Sequence, residues 1–326
     1  MTPIERIAVI GAGISGLSCA KTLADNGMVV EVFDKSRGPS GRMSTRRGDG
    51  WQCDHGAQYF TARDPAFRAE VEGWIAKGAA AIWSPRIVAL DKHGRSTKEE
   101  RVTRYVGTPR MTAAARLVAE DLALSTSHTV CRLNRDQGRW QIAFAEDLPV
   151  RDDFDAIVLA MPSPQAATLL APVSPQLHQV AANARMTACW ALMCRFDEPL
   201  ALDFDAAFVN SGLLRWVARD SNKPGRSGGE TWLLHASGDW SEEFIEASPD
   251  VAAKAMIDAF IEIGGTHPTA WSAQRWRYAN ILDESGPGFS WDDDKMIGLC
   301  GDWLNGGKVE GAWLSGHTLA QRILKA

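Results

Sequence analysis

The chain has 326 residues, 45% of them hydrophobic and 23% charged, with a formal net charge of -5. This is enough for about two domains with a large buried core, and the composition excludes a chain that is disordered throughout. The mildly acidic balance offers no electrostatic basis for binding nucleic acid or an anionic membrane.

Six cysteines (Cys19, Cys53, Cys131, Cys189, Cys194, Cys300) and seven scattered histidines show neither a CxxC pair nor metal-ligand spacing. The thiols therefore read as reduced core residues, and no metal site is expected. Residues 1–5 carry no basic segment ahead of a long apolar core, and no apolar run approaches the roughly 20 residues of a membrane helix. The expectation is a cytoplasmic protein with no membrane association and no evident protein partner.

The first predicted element is an apolar, β-branched run at 7–10, a candidate buried strand that ends in Gly11-Ala12-Gly13-Ile14-Ser15-Gly16. In such a turn the first glycine makes the tight bend, the second lets a pyrophosphate approach the backbone, and the third lets helix pack on strand. Leu17, Ala20, Leu23 and Ala24 give an inward stripe for a helix over 17–26, closed by Gly27. A second strand is expected at 29–33. Asp34 stands eighteen residues past Gly16, where a carboxylate accepts both hydroxyls of an adenosine ribose. A glycine motif alone is weak, but strand, helix and acid together point to a dinucleotide.

Residues 35–47 form a loop rich in glycine and arginine. Arg42, pinned by Gly41, is the arginine expected to reach a pyrophosphate or the edge of the cofactor's ring, because a guanidinium fork suits a phosphate. Arg46 and Arg47 read equally well as solvated. The block 51–61 mixes small, polar and aromatic residues, as a segment passing close to a planar ring would. Gly56 and Ala57 permit the approach, and Gln58 and Tyr59 face the ligand. Asp54-His55 has no nucleophile beside it and is assigned to orienting the loop.

Further on, Phe67, Val71, Trp74 and Ile75 predict a helix within 65–77, followed by strands at 80–83 and 86–90 and an exposed hairpin or loop at 91–101. A helix over 112–122, a hairpin of 129–133 with 140–144, and a buried strand within 154–161 stopped by Pro162 and Pro164 come next. The nucleotide-binding unit is thus interrupted by inserts.

The middle, 165–288, carries six tryptophans (Trp190, Trp216, Trp232, Trp240, Trp271, Trp276) and strand-like runs at 187–196 and 231–237. Most of the indoles are expected in the core, where large rings bury the most surface. His235 fits a ligand contact and an ordinary sheet position equally well, and the polar stretch 219–226 reads as a mobile loop on the pocket's rim. A strand at 297–302 ends in Asp302, and a helix over 313–323 starts among small residues at Val309. Asn305 is expected over the cofactor's ring or in the turn Asn305-Gly306-Gly307.

Three separated motifs, the 11–34 unit, Gly41-Arg42 and the ending from Gly301-Asp302 to Val309-Glu310-Gly311-Ala312, resemble the flavin-containing amine oxidase superfamily. The strand Val158-Leu159-Ala160-Met161-Pro162 extends the likeness. Within that superfamily, the short chain, Arg42-Met43 and the block 54–61 are similar to the renalase family in its bacterial form. One departure is Ser40-Gly41-Arg42, where the usual pattern has Gly-Gly-Arg. The resemblance implies an α/β fold, with a Rossmann-like FAD-binding domain (1–66, 107–165 and 287–326) interrupted by a mixed α+β substrate domain built on a β-sheet (67–106 and 166–286). It implies noncovalent FAD held by Gly11, Ala12, Gly13, Ser15, Gly16, Asp34, Lys35, Arg42, Val130 through its backbone, Asp302 and Val309. Substrate would meet Ala57, Gln58, Tyr59, Phe60, Thr61, Thr187, His235 and Asn305, with no certain catalytic side chain because the flavin carries the chemistry.

The activity implied is oxidation of the 1,2- and 1,6-dihydro isomers of NAD(P), with hydride passing to the flavin N5, dioxygen becoming hydrogen peroxide, and NAD(P)+ released. Amine oxidases of the superfamily place a lysine beside N5 from a central strand, and 177–196 contains none. An amine oxidase or desaturase-like enzyme, or a flavin-binding redox-sensing module of low turnover, are the alternatives.

Overall fold

The computed structural model describes residues 4–97, 102–283 and 285–325. The end of the expected 91–101 hairpin, at 98–101, lies outside the described residues; its strand Gly94–Thr97 pairs antiparallel with Ile87–Asp91.

The apolar run expected as a strand forms Arg6–Ile10, and Ile7 to Ile10 are all buried. It lies inside a six-stranded sheet ordered Ser290–Asp292, Ile297–Leu299, Ala156–Leu159, Arg6–Ile10, Val29–Asp34, Ala123–Thr126. All neighbours are parallel except the first pair. Parallel strands end at one edge of the sheet, and ligands of such sheets bind outside that edge. Gly11, Asp34, Ala160 and Cys300 all stand there, at the strand ends.

The first helix, Ile14–Asp25, and the C-terminal helix, Val309–Ile323, pack on one face of this sheet at very close range. A Cβ on Gly316 would come within 1.9 Å of the Ser15 carbonyl oxygen, and Ser18 Oγ donates to the Trp313 carbonyl at 2.9 Å. The chain's last helix thereby carries Val309 to the edge where the glycine turn sits. Phe67, Val71 and Trp74 of the helix Pro65–Ala76 join the same core, with Phe67 5.5 Å from the ring of Trp313. By packing, this helix sides with the nucleotide sheet, although a boundary after residue 66 assigns it to the substrate domain.

A seven-stranded, mostly antiparallel sheet runs Ala270–Ile281, Met186–Phe196, Glu230–Ala236, Leu214–Arg219, Ala206–Val209, Ile87–Asp91, Gly94–Thr97. Its period-2 alternation sends two residue sets to opposite faces. Trp190, Leu192, Val217, Trp232 and Leu234 pack under the helix Pro249–Glu262. Ala191, Met193 and Leu233 meet Cys53, while Trp216 and Ala218 join the core around Phe60. The second face therefore looks onto the 51–61 segment. Of the six central tryptophans, Trp190, Trp216 and Trp232 are buried and the other three are half-buried.

Some boundaries moved. The helix expected over 112–122 is Thr112–Ala119, because Ala123–Thr126 is drawn into the sheet beside Val29–Asp34. The hairpin of Val130–Asp136 with Arg139–Phe144 gains a third strand, Arg151–Phe154. Five cysteines are buried, but Cys131 is exposed, at an irregularity in register between Val130 and Arg132.

Ser40, the departure from Gly-Gly-Arg, is buried at φ 124°, a region that costs a non-glycine residue about 1–3 kcal/mol. Glycine gives back about 0.5–1 kcal/mol through unfolded-state entropy. Ser40→Gly should therefore raise stability by about 1 kcal/mol and the melting temperature by about 2 °C at fixed FAD concentration. A melting temperature unchanged or lowered would contradict the strain.

Candidate functional site

The glycine turn is shaped as a cradle. Gly11 sits at φ +114°, and a Cβ there would come within 2.3 Å of the Ala160 carbonyl oxygen; a Cβ on Gly16 would come within 2.0 Å of the Gly11 oxygen. Around Gly13 there is nothing within 4 Å of the Cβ position, so that side is open to a ligand. Gly13 precedes the first helix without a side-chain cap, and Ser15 Oγ is buried with no partner among the described residues. Uncapped amides at a helix start, a free hydroxyl and an open glycine fit a pyrophosphate.

Asp34 accepts from the Ala12 amide at 2.6 Å through Oδ2 and from the Ser36 amide at 2.7 Å through Oδ1. With about four lone-pair sites, an oriented carboxylate still has room for ribose hydroxyls. Lys35 is exposed beside it, and Val130 opens a strand just past Thr126, which pairs with Asp34.

Arg42 lies where the two chain ends meet. Its fork donates to both oxygens of Asp302, at 2.5 and 3.0 Å, and to the Ala279 carbonyl at 3.1 Å. The guanidinium expected to reach a pyrophosphate is therefore committed to Asp302 and the large sheet. A Cβ on Gly41 would stand 3.3 Å from Gly13 Cα, so the loop presses on the cradle. The Asn305 amide donates to the Asp302 carbonyl at 2.8 Å, and its side chain donates to the Gly311 carbonyl at 3.1 Å. The turn is thereby closed onto the C-terminal helix, whose first residue, Val309, has no side-chain cap ahead of it. These groups fit the ribityl chain and the electron-rich edge of a flavin.

The segment 55–61 lies between this edge and the large sheet. The Ala57 amide donates to the Arg42 carbonyl at 2.9 Å, and a Cβ on Gly56 would come within 1.9 Å of the same oxygen, so the backbone hugs the Arg42 loop. The His55 carbonyl accepts from Trp276 Nε1 at 2.8 Å and from His235 Nε2 at 3.2 Å, and the His55 ring stacks on Trp276 at 5.2 Å. A carbonyl has no proton to give, so His235 carries its own on Nε2 and leaves Nδ1 as an acceptor. Burial holds both imidazoles down, each to about 4 from an ordinary 6.5; Arg46 and His235 add to the effect at His55, and Lys223 and Arg215 at His235. Both rings are neutral at pH 7. Tyr59, half-buried, has its ring 5.7 Å from Trp216 and 6.3 Å from Trp83. Thr61 is half-buried, and Thr187 sits beside a register shift near the start of Met186–Phe196.

Two of the expected ligand-facing residues turn inward. Gln58 donates to the carbonyls of Asp54 at 2.7 Å and Gly56 at 3.1 Å and accepts from Lys223 at 3.2 Å, which occupies its amide. Phe60 is buried, stacked on Tyr105 at 5.8 Å, with mutual backbone hydrogen bonds to it. The stretch 219–226, read as a mobile rim, is instead an anchored element containing a 3-10 turn, Asp220–Asn222.

That anchor is a buried ion cluster. Asp54, Asp220 and Lys223 have fully buried side chains, and Arg226 is almost so. Lys223 Nζ donates to Asp220 at 2.7 Å, to Asp54 at 3.1 Å and to Gln58 at 3.2 Å, which spends all three of its protons. Arg226 also reaches Asp54, and Thr45 Oγ1 donates to Asp54 at 2.6 Å. Burial pushes the Asp54 carboxyl up, but the Lys223 and Arg226 charges outweigh it and hold it below its usual value. Burial and the Asp54 charge push Asp220 up. The acid-lysine-arginine spacing of 220, 223 and 226 was the available sequence signal, but only the fold brings Asp54 to it.

The family profile described as "Flavin containing amine oxidoreductase" matches residues 88–324, and the profile "NAD(P)-binding Rossmann-like domain" matches 9–71. A zeta-carotene-forming phytoene desaturase from Myxococcus xanthus is 47% identical over 52 residues, 16% of this chain and only 10% of that protein. The cyclohexylamine oxidase of Brevibacterium oxydans IH-35A superposes over 99% of both chains with a TM-score of 0.75 at 13% identity. A putrescine oxidase bound to putrescine superposes over 99% of both chains with a TM-score of 0.74, also at 13% identity. These likenesses establish the shared fold.

The two imidazoles predict a pH dependence of stability. The folded chain holds them at about 4 against an ordinary 6.5, so between those values the unfolded chain binds more protons. Their contribution is fully present above pH 6.5 and is lost as pH falls towards 4. Urea unfolding should show lower stability at pH 5 than at pH 7, with a smaller difference in His235→Gln. An equal difference in the variant would contradict the burial argument.

Proposed function

The chain belongs to the flavin containing amine oxidoreductase family and is a flavin-dependent oxidoreductase with FAD as its cofactor, and on that premise we propose that it is a renalase-like oxidase of misreduced nicotinamide nucleotides. Its substrates are the 1,2- and 1,6-dihydro isomers of NAD(P). One isomer, one dioxygen and one proton give NAD(P)+ and hydrogen peroxide. Bound FAD supplies the two-electron chemistry, taking hydride and returning the electrons to dioxygen.

The observation that carries this reading is that the side chains grouped between the segment 55–61 and the large sheet are aromatic, with both imidazoles neutral, and that among the described residues there the lysine, Lys223, is fully engaged. A dihydropyridine becomes aromatic when it gives up hydride, so the protein has no proton to remove and needs mainly to hold a flat ring in place. Trp276, Tyr59 and Trp216 offer flat apolar surface, and the neutral His235 offers an acceptor at Nδ1 for the substrate's carboxamide N–H. On this reading Ala57, whose backbone is held to the Arg42 loop, would lie against the ring plane, and Asn305 and Thr187 would flank the substrate. An amine arrives as an ammonium ion and has to shed a proton before oxidation. Met186–Phe196 contains no lysine, Lys223 has no proton or lone pair left to offer, and imidazoles held near 4 are weak bases.

Anaerobic mixing of the holoenzyme with each dihydro isomer, with ordinary NADH and with amines tests the proposal. The expected result is rapid bleaching of the flavin band by the isomers, with a limiting rate that stays flat from pH 6 to 9. Bleaching by amines in place of the isomers would favour an amine oxidase. Bleaching by none of them would fit a desaturase-like enzyme or a redox-sensing module and would overturn the proposal.

A further inference from the structure

We propose that Arg215 anchors the phosphate groups of the nicotinamide nucleotide and so sets the preference for nucleotides over smaller dihydropyridines. The inference rests on the substrate reading above and adds to it a binding residue outside the cofactor and ring contacts.

Leu214 pairs with Ala236 and Trp216 pairs with His235, so Arg215 is a surplus residue between two consecutive partners. An extra residue of this kind bends the strand and re-aims a side chain, and such irregularities gather beside active sites. A second shift lies between Thr187 and Cys189, and Cys189 Sγ approaches the Ala236 carbonyl at 3.7 Å. Both irregularities therefore sit at the same end of the sheet, the end that carries His235.

Arg215 is exposed, and among the described residues it makes no hydrogen bond or ion pair. The site's other arginines are spent: Arg42 on Asp302, Arg46 on Gln274, and Arg226 on Asp54 and the Gly107 carbonyl. Trp216 pairs with His235 and packs on the side of the sheet that looks onto the 51–61 segment, and Arg215, the surplus residue beside it, stands at the same end of the sheet as His235 and Cys189, both of which feel its charge. A free planar fork there suits bidentate binding of a phosphate.

The adjacent residue carries an unmet donor. Trp216 is buried, and its indole N–H finds no acceptor among the described residues. In a nicotinamide nucleotide one ribose separates the ring from its 5′-phosphate. A ring beside His235 and Trp216 would thus present that phosphate to the neighbouring position, which is Arg215.

The test compares anaerobic reduction of holoenzyme by 1,6-dihydro-NAD and by 1,6-dihydronicotinamide riboside, which lacks phosphate. In the wild type the riboside should bind at least about tenfold more weakly, the usual worth of one charge-assisted contact. In Arg215→Gln the ratio of the two dissociation constants should fall about tenfold, and Arg215→Lys should restore part of it. Added salt should weaken dinucleotide binding in the wild type more than in Arg215→Gln. If the isomers reduce the wild type but the ratio is the same in Arg215→Gln, the inference is overturned and the proposed function stands. A wild type that neither compound reduces overturns both.

Discussion

The carboxylate of Asp54 governs how the molecule is put together. A bare charge with no exposed surface costs several kcal/mol unless it is matched by opposite charge and hydrogen bonds. Here the matching comes from Lys223 and Arg226, far along the chain, and from Thr45 and the Met111 amide. The hairpin Thr45–Gly48 with Trp51–Asp54, the segment entering Thr112–Ala119 and the large sheet are thereby fixed to one point. The cluster reaches the segment 55–61 through Gln58, whose amide ties Lys223 to the backbone at Asp54 and Gly56. That backbone continues into Ala57, which is bonded to the Arg42 loop, and Arg42 is paired with Asp302 from the other end of the chain. The glycine-cradle edge, the segment 55–61 and the large sheet are thus parts of one connected hydrogen-bond network.

The network also accounts for the chemistry of the segment 55–61 and of the sheet face opposite it. Lys223 and Arg226 are paired with Asp54 and Asp220, and Arg42 with Asp302, so most of the charge around the segment 55–61 is matched and its nearest ring partners are aromatic or neutral. Burial, reinforced by neighbouring positive charge, keeps the two imidazoles uncharged, and the His55 carbonyl fixes the tautomer of His235. Such a surface can stack a flat ring and align it for hydride transfer, but it has little capacity to move protons. On the proposed reading, the charge that a nucleotide substrate brings would be met further out, by Arg215 at an exposed strand end.

Much of the cofactor half was legible in the sequence because its determinants are local. The glycine spacing at 11, 13 and 16 and the acid at 34 specify a turn, a helix start and a strand end within one short unit, and the structure places all of them at one sheet edge. The C-terminal motif was readable for the same reason, although nothing in the sequence joins Asp302 to Arg42, 260 residues away. The substrate half was harder. Polar residues at 219–226 look like a solvated loop until Asp54, 169 residues from Lys223, arrives to bury them. In the 55–61 block, a mix of small, polar and aromatic residues does not say which way each side chain turns. Gln58 and Phe60 point into the interior because Lys223 and Tyr105 are there to receive them.

The central claim is that one FAD lies between the glycine cradle, the Arg42 and Asp302 pair, and the tryptophan-bearing face of the large sheet. The visible absorption of the protein after incubation with FAD and gel filtration tests it most directly. The account predicts a yellow protein that retains one flavin per chain and releases it intact on denaturation. A colourless protein after the same treatment would contradict it.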